Sequence, residues 1–219
     1  MKLIHKTINA KTLLMHALIG ITGKIASGKS TTLNYLGSKG YMTFNADDVV
    51  RELYLDEGVI GRVMKLFPLG LTQGSREFPK ALGSSPRETF ARKIADIIYN
   101  DEVKRRELEK LIHPLIEEKL MLFASSLRGG KIGFAEVPLL FEAKMEKFFD
   151  YTILIYCDRD VRMQRAIDRG LEEKKFDMID RAQMSDELKK ERVDFVIDSD
   201  VEVGAFECEV DRVIDRIIK

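Results

Sequence analysis

Lys29 and Ser30 close the stretch Gly23-Lys24-Ile25-Ala26-Ser27-Gly28-Lys29-Ser30, whose spacing is G-x-x-x-x-G-K-[ST]. An ammonium and a hydroxyl delivered side by side from a glycine-rich turn suit the phosphates of a nucleoside triphosphate. Glycines let the backbone turn tightly and aim successive N–H groups at phosphate oxygens, and a following helix adds partial positive charge at its N-terminus. In that geometry Lys29 reaches the β- and γ-phosphates and the Ser30 hydroxyl ligates Mg²⁺. Gly23, Ala26, Ser27, Gly28 and Thr31 complete the set expected around the nucleotide. The alternative is a plain glycine turn with an exposed lysine. Its flanks argue against that: Ala17-Leu18-Ile19-Gly20-Ile21 reads as a buried strand and Thr31-Thr32-Leu33-Asn34-Tyr35-Leu36 as a helix.

Other side chains have types that fit phosphoryl transfer. Asp47 lies in Asn45-Ala46-Asp47-Asp48, at the carboxyl end of the strand-like run Tyr41-Met42-Thr43-Phe44. A carboxylate there can orient an acceptor hydroxyl and take its proton. Equally, Asp47 or Asp48 can cap the helix that follows. Arg162, Arg165 and Arg169 stand at i, i+3 and i+7 of a helix predicted from about Asp160 to a stop at Gly170. Their guanidinium groups either neutralise a moving phosphoryl group or form a solvated face paired with Asp160 and Asp168. Glu136 sits near the end of Lys131-Ile132-Gly133-Phe134-Ala135-Glu136-Val137, where an acid can hold Mg²⁺ or its water. Glu142 follows just beyond, and each of these acids has a structural-partner reading as well. His113-Pro114 taken alone reads as a helix-end packing residue.

These groups need a frame to hold them. The runs Tyr151-Thr152-Ile153-Leu154-Ile155-Tyr156 and Asp194-Phe195-Val196-Ile197 bring the strand count to five, with helical patterns between them. Near-continuous apolar runs are what parallel strands covered on both faces require, so the expected fold is α/β with a doubly wound sheet. Such sheets bind ligands at the carboxyl ends of their strands. The helical stretch from about Asp48 to Leu127, interrupted by a Pro/Gly/Ser-rich piece at 68–86, is too long for a crossover and reads as an inserted substrate subdomain. Val210, Val213, Ile214 and Ile217 form an i, i+3, i+4, i+7 stripe that should dock a last helix on the sheet.

Composition narrows the partners. The 219 residues are 45% hydrophobic, enough for one large core. Lys plus Arg equals Asp plus Glu at 36 each, so no global field favours nucleic acid or an anionic membrane. Three histidines and two distant cysteines, Cys157 and Cys208, draw no zinc constellation, and Cys157 reads as a buried small hydrophobe in a reducing compartment. No apolar stretch approaches the roughly 20 residues of a membrane span. Residues 1–14, with Lys2, Lys6 and Lys11, lack a long apolar region and read as an extension ahead of Met15 rather than a signal peptide. A cytoplasmic monomer is expected.

Taken together the motifs resemble the dephospho-CoA kinase family over most of the chain, from about Leu18 onward. Gly20-Ile21-Thr22-Gly23 with Ser27-Gly28-Lys29-Ser30 is similar to that family's loop, and Asn45-Ala46-Asp47 to its D-A-D motif. Leu108-Glu109-Lys110-Leu111-Ile112-His113-Pro114 resembles its L-E-x-[IL]-[IL]-H-P, and Val137-Pro138-Leu139-Leu140-Phe141-Glu142 its V-P-L-L-[FI]-E. Gln164-Arg165, Arg169 and the later Gln183 resemble its lid, and Asp194-Phe195-Val196-Ile197-Asp198 its last strand. The resemblance implies transfer of the ATP γ-phosphoryl to the ribose 3′-hydroxyl of 3′-dephospho-CoA. It implies Asp47 as base, Arg165 and Arg169 closing over the moving group, and His113, Pro138 and Leu139 on the acceptor. It implies a five-stranded P-loop core (residues 15–50, 128–158 and 190–219), a helical acceptor insert (51–127) and a lid (159–189). Lys24 and Ala26 replace two family glycines, Asn45 its first aspartate and Ser199 an asparagine. Lys24 is thereby a candidate for an added phosphate contact. Two rivals stay open: another small-substrate P-loop kinase, and a nucleotide-dependent binder without turnover.

Overall fold

The computed structural model describes residues 17–67, 94, 97–98, 101–127 and 130–218. The expectations for residues 1–14 and for the Pro/Gly/Ser-rich piece lie outside them. Five strands, β1 (Ala17–Thr22), β2 (Met42–Asn45), β3 (Ile132–Glu136), β4 (Tyr151–Tyr156) and β5 (Phe195–Asp198), form one sheet in the order β2-β3-β1-β4-β5. Every pairing is parallel. The chain winds to one side of β1 for β2 and β3 and then to the other for β4 and β5. The central strand is therefore the point where a crevice opens, and its carboxyl end carries the glycine-rich loop.

Side chains alternate across β1, and each face is covered. Ile19 and Ile21 share a cluster with Leu33 and Leu36 of α1 (Lys29–Ser38) and with Phe206, Val210, Val213, Ile214 and Ile217 of the last helix, α8 (Val203–Ile218). At about 1.5–3 kcal/mol per fully buried large aliphatic side chain, that stripe is enough to dock α8. Leu18 faces the opposite way, into a cluster with α2 (Ala46–Leu53), α3 (Glu57–Leu66) and α4 (Glu102–Ser126). Helices α2, α3 and α4 thus share one core with the sheet, and α2 runs continuously through positions 50 and 51.

His113-Pro114 lies in the middle of α4, not at a helix end as it reads in isolation. An interior proline costs about 3 kcal/mol. Leu108, Ile112, Ile116 and Leu120 are all buried, and at about 2 kcal/mol each they outweigh that cost and keep the helix continuous. Beyond β4 come α5 (Arg159–Asp168), α6 (Glu173–Ala182) and α7 (Asp186–Lys190). No helix among the described residues is long and apolar enough to cross a membrane.

Candidate active site

The loop after β1 is shaped by its backbone. Gly23 has φ 154°, and a Cβ there would stand 2.5 Å from the Ile155 carbonyl oxygen, so only glycine fits. Gly28, at φ 99°, is the N-cap of α1 and brings no side chain to cap it, which leaves first-turn amides for an anion. Ala26 is the exception, holding the left-handed region at φ 59° with a Cβ present. That conformation costs an L-residue about 1–2 kcal/mol. Ala26→Gly is therefore expected to stabilise the protein by about 0.5–1 kcal/mol after the added unfolded-chain entropy, raising Tm by about 2 °C. Calorimetry checks this; a lower Tm would show that Ala26 is not strained.

Lys29 and Ser30 open α1 and face β3. Lys29 is buried at 7% exposure, and its Nζ donates to the Lys24 carbonyl at 2.8 Å. Burial lowers its pKa to about 8, with Glu136 and Asp47 opposing the shift. Ser30 Oγ donates to Glu136 Oε1 at 3.1 Å, and Asn45 Nδ2 donates to Glu136 Oε2 at 3.2 Å. The second contact follows from register, because Asn45 pairs with Glu136 across β2 and β3. Glu136 is 2% exposed, and burial holds its carboxyl above the ordinary range against Lys29 and the Ser30 hydrogen bond.

Asn45 also settles the capping question. Its Oδ1 accepts from Asp47 N at 2.9 Å and Asp48 N at 3.3 Å, so Asn45, not either aspartate, caps α2. Asp48 pairs with Arg51 at 2.6 Å. Asp47 faces the cleft, where desolvation raises its carboxyl pKa while Lys29 and Arg51 pull it down.

The cleft has a volume of about 1150 Å³. Ala26, Lys29, Ser30, Asp47 and Glu136 form the polar end, at the carboxyl ends of β1, β2 and β3. On the helical side Tyr54, Ile94, Ile112 and Ile116 supply apolar lining, with Glu102, Arg105, Glu109 and His113 beside them. Burial lowers the His113 pKa, which Glu109 and Glu117 oppose. Pro138 and Leu139 line the floor between, and Ile179, Arg181 and Gln183 form the roof. Gly23, Ser27 and Gly28 shape the loop, and Thr31 is exposed in the first turn of α1.

Arg165 and Arg169 are not part of the cleft lining. Arg165 donates to Ser199 Oγ at 3.1 Å and to the Ser199 carbonyl at 2.7 Å, and Ser199 Oγ in turn donates to the Ser27 carbonyl at 2.6 Å. Arg169 ends α5 with its backbone N–H on the Ala166 carbonyl, the Gly170 N–H on the Ile167 carbonyl, and its side chain exposed. Arg162 of the same stripe is 2% exposed and donates to Asp180 Oδ1 at 2.6 Å. Lys24, a candidate for the phosphates, turns away from them and pairs with the same oxygen at 3.0 Å. Spacing cannot separate an inward arginine from an outward one. Nor could it mark Arg181, one charge among many in a charged segment. Glu142 proves to be a tether: its Oε1 accepts from Met184 N at 2.8 Å and lies 3.3 Å from Lys189 Nζ, which also donates to the Pro138 carbonyl.

A hydroxyl, a carboxylate and space for phosphate oxygens suit Mg²⁺, which takes one or two carboxylates and keeps several waters. The dephospho-CoA kinase family model matches residues 17–204. The dephospho-CoA kinase of Rickettsia felis is 40% identical over 198 residues, 90% of this chain and 95% of its own. The crystal structure of TT1252 from Thermus thermophilus is 29% identical with a TM-score of 0.71, over 91% of this chain and 97% of that one. The dephospho-CoA kinase structure from Campylobacter jejuni, at 24% identity and TM-score 0.61 over 93% and 98%, shares the fold. This chain belongs to the dephospho-CoA kinase family, kinases that transfer phosphate to a hydroxyl.

Proposed function

We propose that the cleft transfers the γ-phosphoryl of ATP to the ribose 3′-hydroxyl of 3′-dephospho-CoA. The observation that carries this reading is the meeting of Lys29, Ser30, Asp47 and Glu136 in a cleft that continues along apolar and charged side chains of α2 and α4, Tyr54, Arg105 and Ile112 among them. Lys29 and the loop amides hold the ATP phosphates, and the Asp47 carboxylate orients the acceptor hydroxyl and takes its proton. Ser30 and Glu136 hold Mg²⁺, which when bound neutralises charge on the phosphate oxygens. Asn45 fixes the Glu136 carboxylate from its other side. Arg181 lines the cleft and is available to the phosphates, and Arg165, one of the two arginines expected to close over the moving group, is joined to the loop through Ser199 and Ser27.

In this reading residues 51–127 hold the acceptor, with His113, Pro138 and Leu139 against it, and residues 159–189 cover the reaction and exclude water. The protein works as a cytoplasmic monomer on small molecules, with neither nucleic acid nor membrane as partner, in keeping with its balanced charge. The test is coupled detection of ADP with dephospho-CoA, AMP, CMP or shikimate as acceptor. ADP release is expected with dephospho-CoA alone. Turnover on another acceptor instead makes the chain a different small-substrate kinase; ATP binding without ADP release makes it a binder.

A further inference from the structure

Lys24 is 9% exposed in the loop after β1, and it is not among the loop residues held at a positive φ. Burying an ammonium is costly unless it is paired. Its partner Asp180 does not require it either. Arg162 already donates to Asp180 Oδ1 at 2.6 Å, and Arg159 Nε stands 3.7 Å from Oδ2. The pair is therefore a connection between two pieces of the molecule rather than the neutralisation of one acid.

The two pieces are the phosphate loop and the roof of the cleft. Asp180 lies in the last turn of α6, directly before Arg181 and three residues before Gln183, both of which line the cleft. Gln183 Oε1 accepts from Ile25 N at 2.8 Å, so α6 is tied to adjacent loop residues at two points. Arg162 Nη1 reaches the Ile25 carbonyl at 3.4 Å from the other side. Meanwhile the Lys24 carbonyl accepts from Lys29 Nζ. One residue thus touches the roof through its side chain and the phosphate-binding lysine through its backbone.

We propose that Lys24 is a positioning residue, whose ion pair with Asp180 sets the place of Arg181 and Gln183 over the phosphates held by the loop. It touches neither substrate itself. The inference rests on the kinase reading and adds to it a loop-to-roof coupling. Loss of the pair leaves the phosphates bound but the roof misplaced, so water competes with the acceptor for the phosphoryl group.

The experiment compares the wild-type protein with Lys24→Met, Lys24→Gly and Lys24→Arg in two measurements. Steady-state kinetics with dephospho-CoA is expected to show kcat lower by about 10-fold in the Met and Gly variants, with KM for ATP changed less than about 3-fold. Their ratio of ATP hydrolysis to phosphoryl transfer rises, and Lys24→Arg, which keeps a cation for Asp180, restores both. Hydrogen exchange with a non-hydrolysable ATP analogue bound is expected to be faster over residues 173–183 in the Met and Gly variants only. Unchanged kcat in both variants overturns the proposal, even where exchange quickens, because Lys24 is then a structural tether only. Unchanged exchange overturns it as well. A wild-type protein that fails to phosphorylate dephospho-CoA refutes the kinase reading instead, while the hydrolysis and exchange measurements still decide the role of Lys24.

Discussion

Asp47→Ala is expected to lower kcat by about 10²–10⁴-fold, the span associated with a lost general base, while the Kd for ATP changes little. The structure removes the competing explanation for this aspartate, because Asn45 does the capping of α2. Desolvation by the surrounding cleft raises the Asp47 carboxyl pKa, while Lys29 and Arg51 oppose the shift and favour the charged form. The base must be ionised, so activity is lost as pH falls through a value above the usual carboxylate range. Stopped-assay kcat and calorimetric ATP binding measured on the same variant separate the two quantities. Near wild-type turnover would exclude Asp47 from proton transfer. A variant that also fails to bind ATP would give it a structural role instead.

Lys29→Met is expected to cost about 10²–10³-fold in kcat, as for loss of a preorganised charge on the developing transition state. The wild-type protein offers a second readout of the same residue. Its pKa of about 8 means that the free protein has lost most of this charge by pH 8.5, whereas a bound polyphosphate favours the ammonium. ATP binding at pH 8.5 should then take up protons, seen as a dependence of binding enthalpy on buffer ionisation enthalpy and absent in Lys29→Met. The sign for stability follows from the same shift. Between about 8 and the ordinary lysine value of 10.5 the unfolded chain binds more protons, so Lys29 makes the fold more stable as pH rises through that window. Equal proton uptake in wild type and Lys29→Met would assign the titration to another group.

How much of this was legible depends on the range of the interaction. The loop, the apolar runs of β3 and β4 and the stripe of α8 are local patterns, and the parallel five-stranded sheet follows from them. The strand limits differ by only a residue or so, but at β2 that shift carries Asn45 into the sheet beside Glu136. No local pattern contains that pairing, because it depends on a register set across 91 residues of chain. The arginine stripe is hard to read for a different reason. Arg162, Arg165 and Arg169 have one residue type on one helix, and only their partners, Asp180, Ser199 and solvent, give them different fates. Lys24 is the same case: a cation beside a phosphate loop suggests phosphate, and a buried acid brought in from 156 residues away takes it instead.

The hydrogen bond from Lys29 Nζ to the Lys24 carbonyl leaves the ammonium held in place but not saturated. An ammonium has three donors, so the carbonyl can keep one while phosphate oxygens take the others. Ionised acceptors bind an ammonium more strongly than neutral ones do, and a neutral hydroxyl or a water molecule offers no such margin. A nucleotide therefore meets a lysine already aimed by the loop's own backbone.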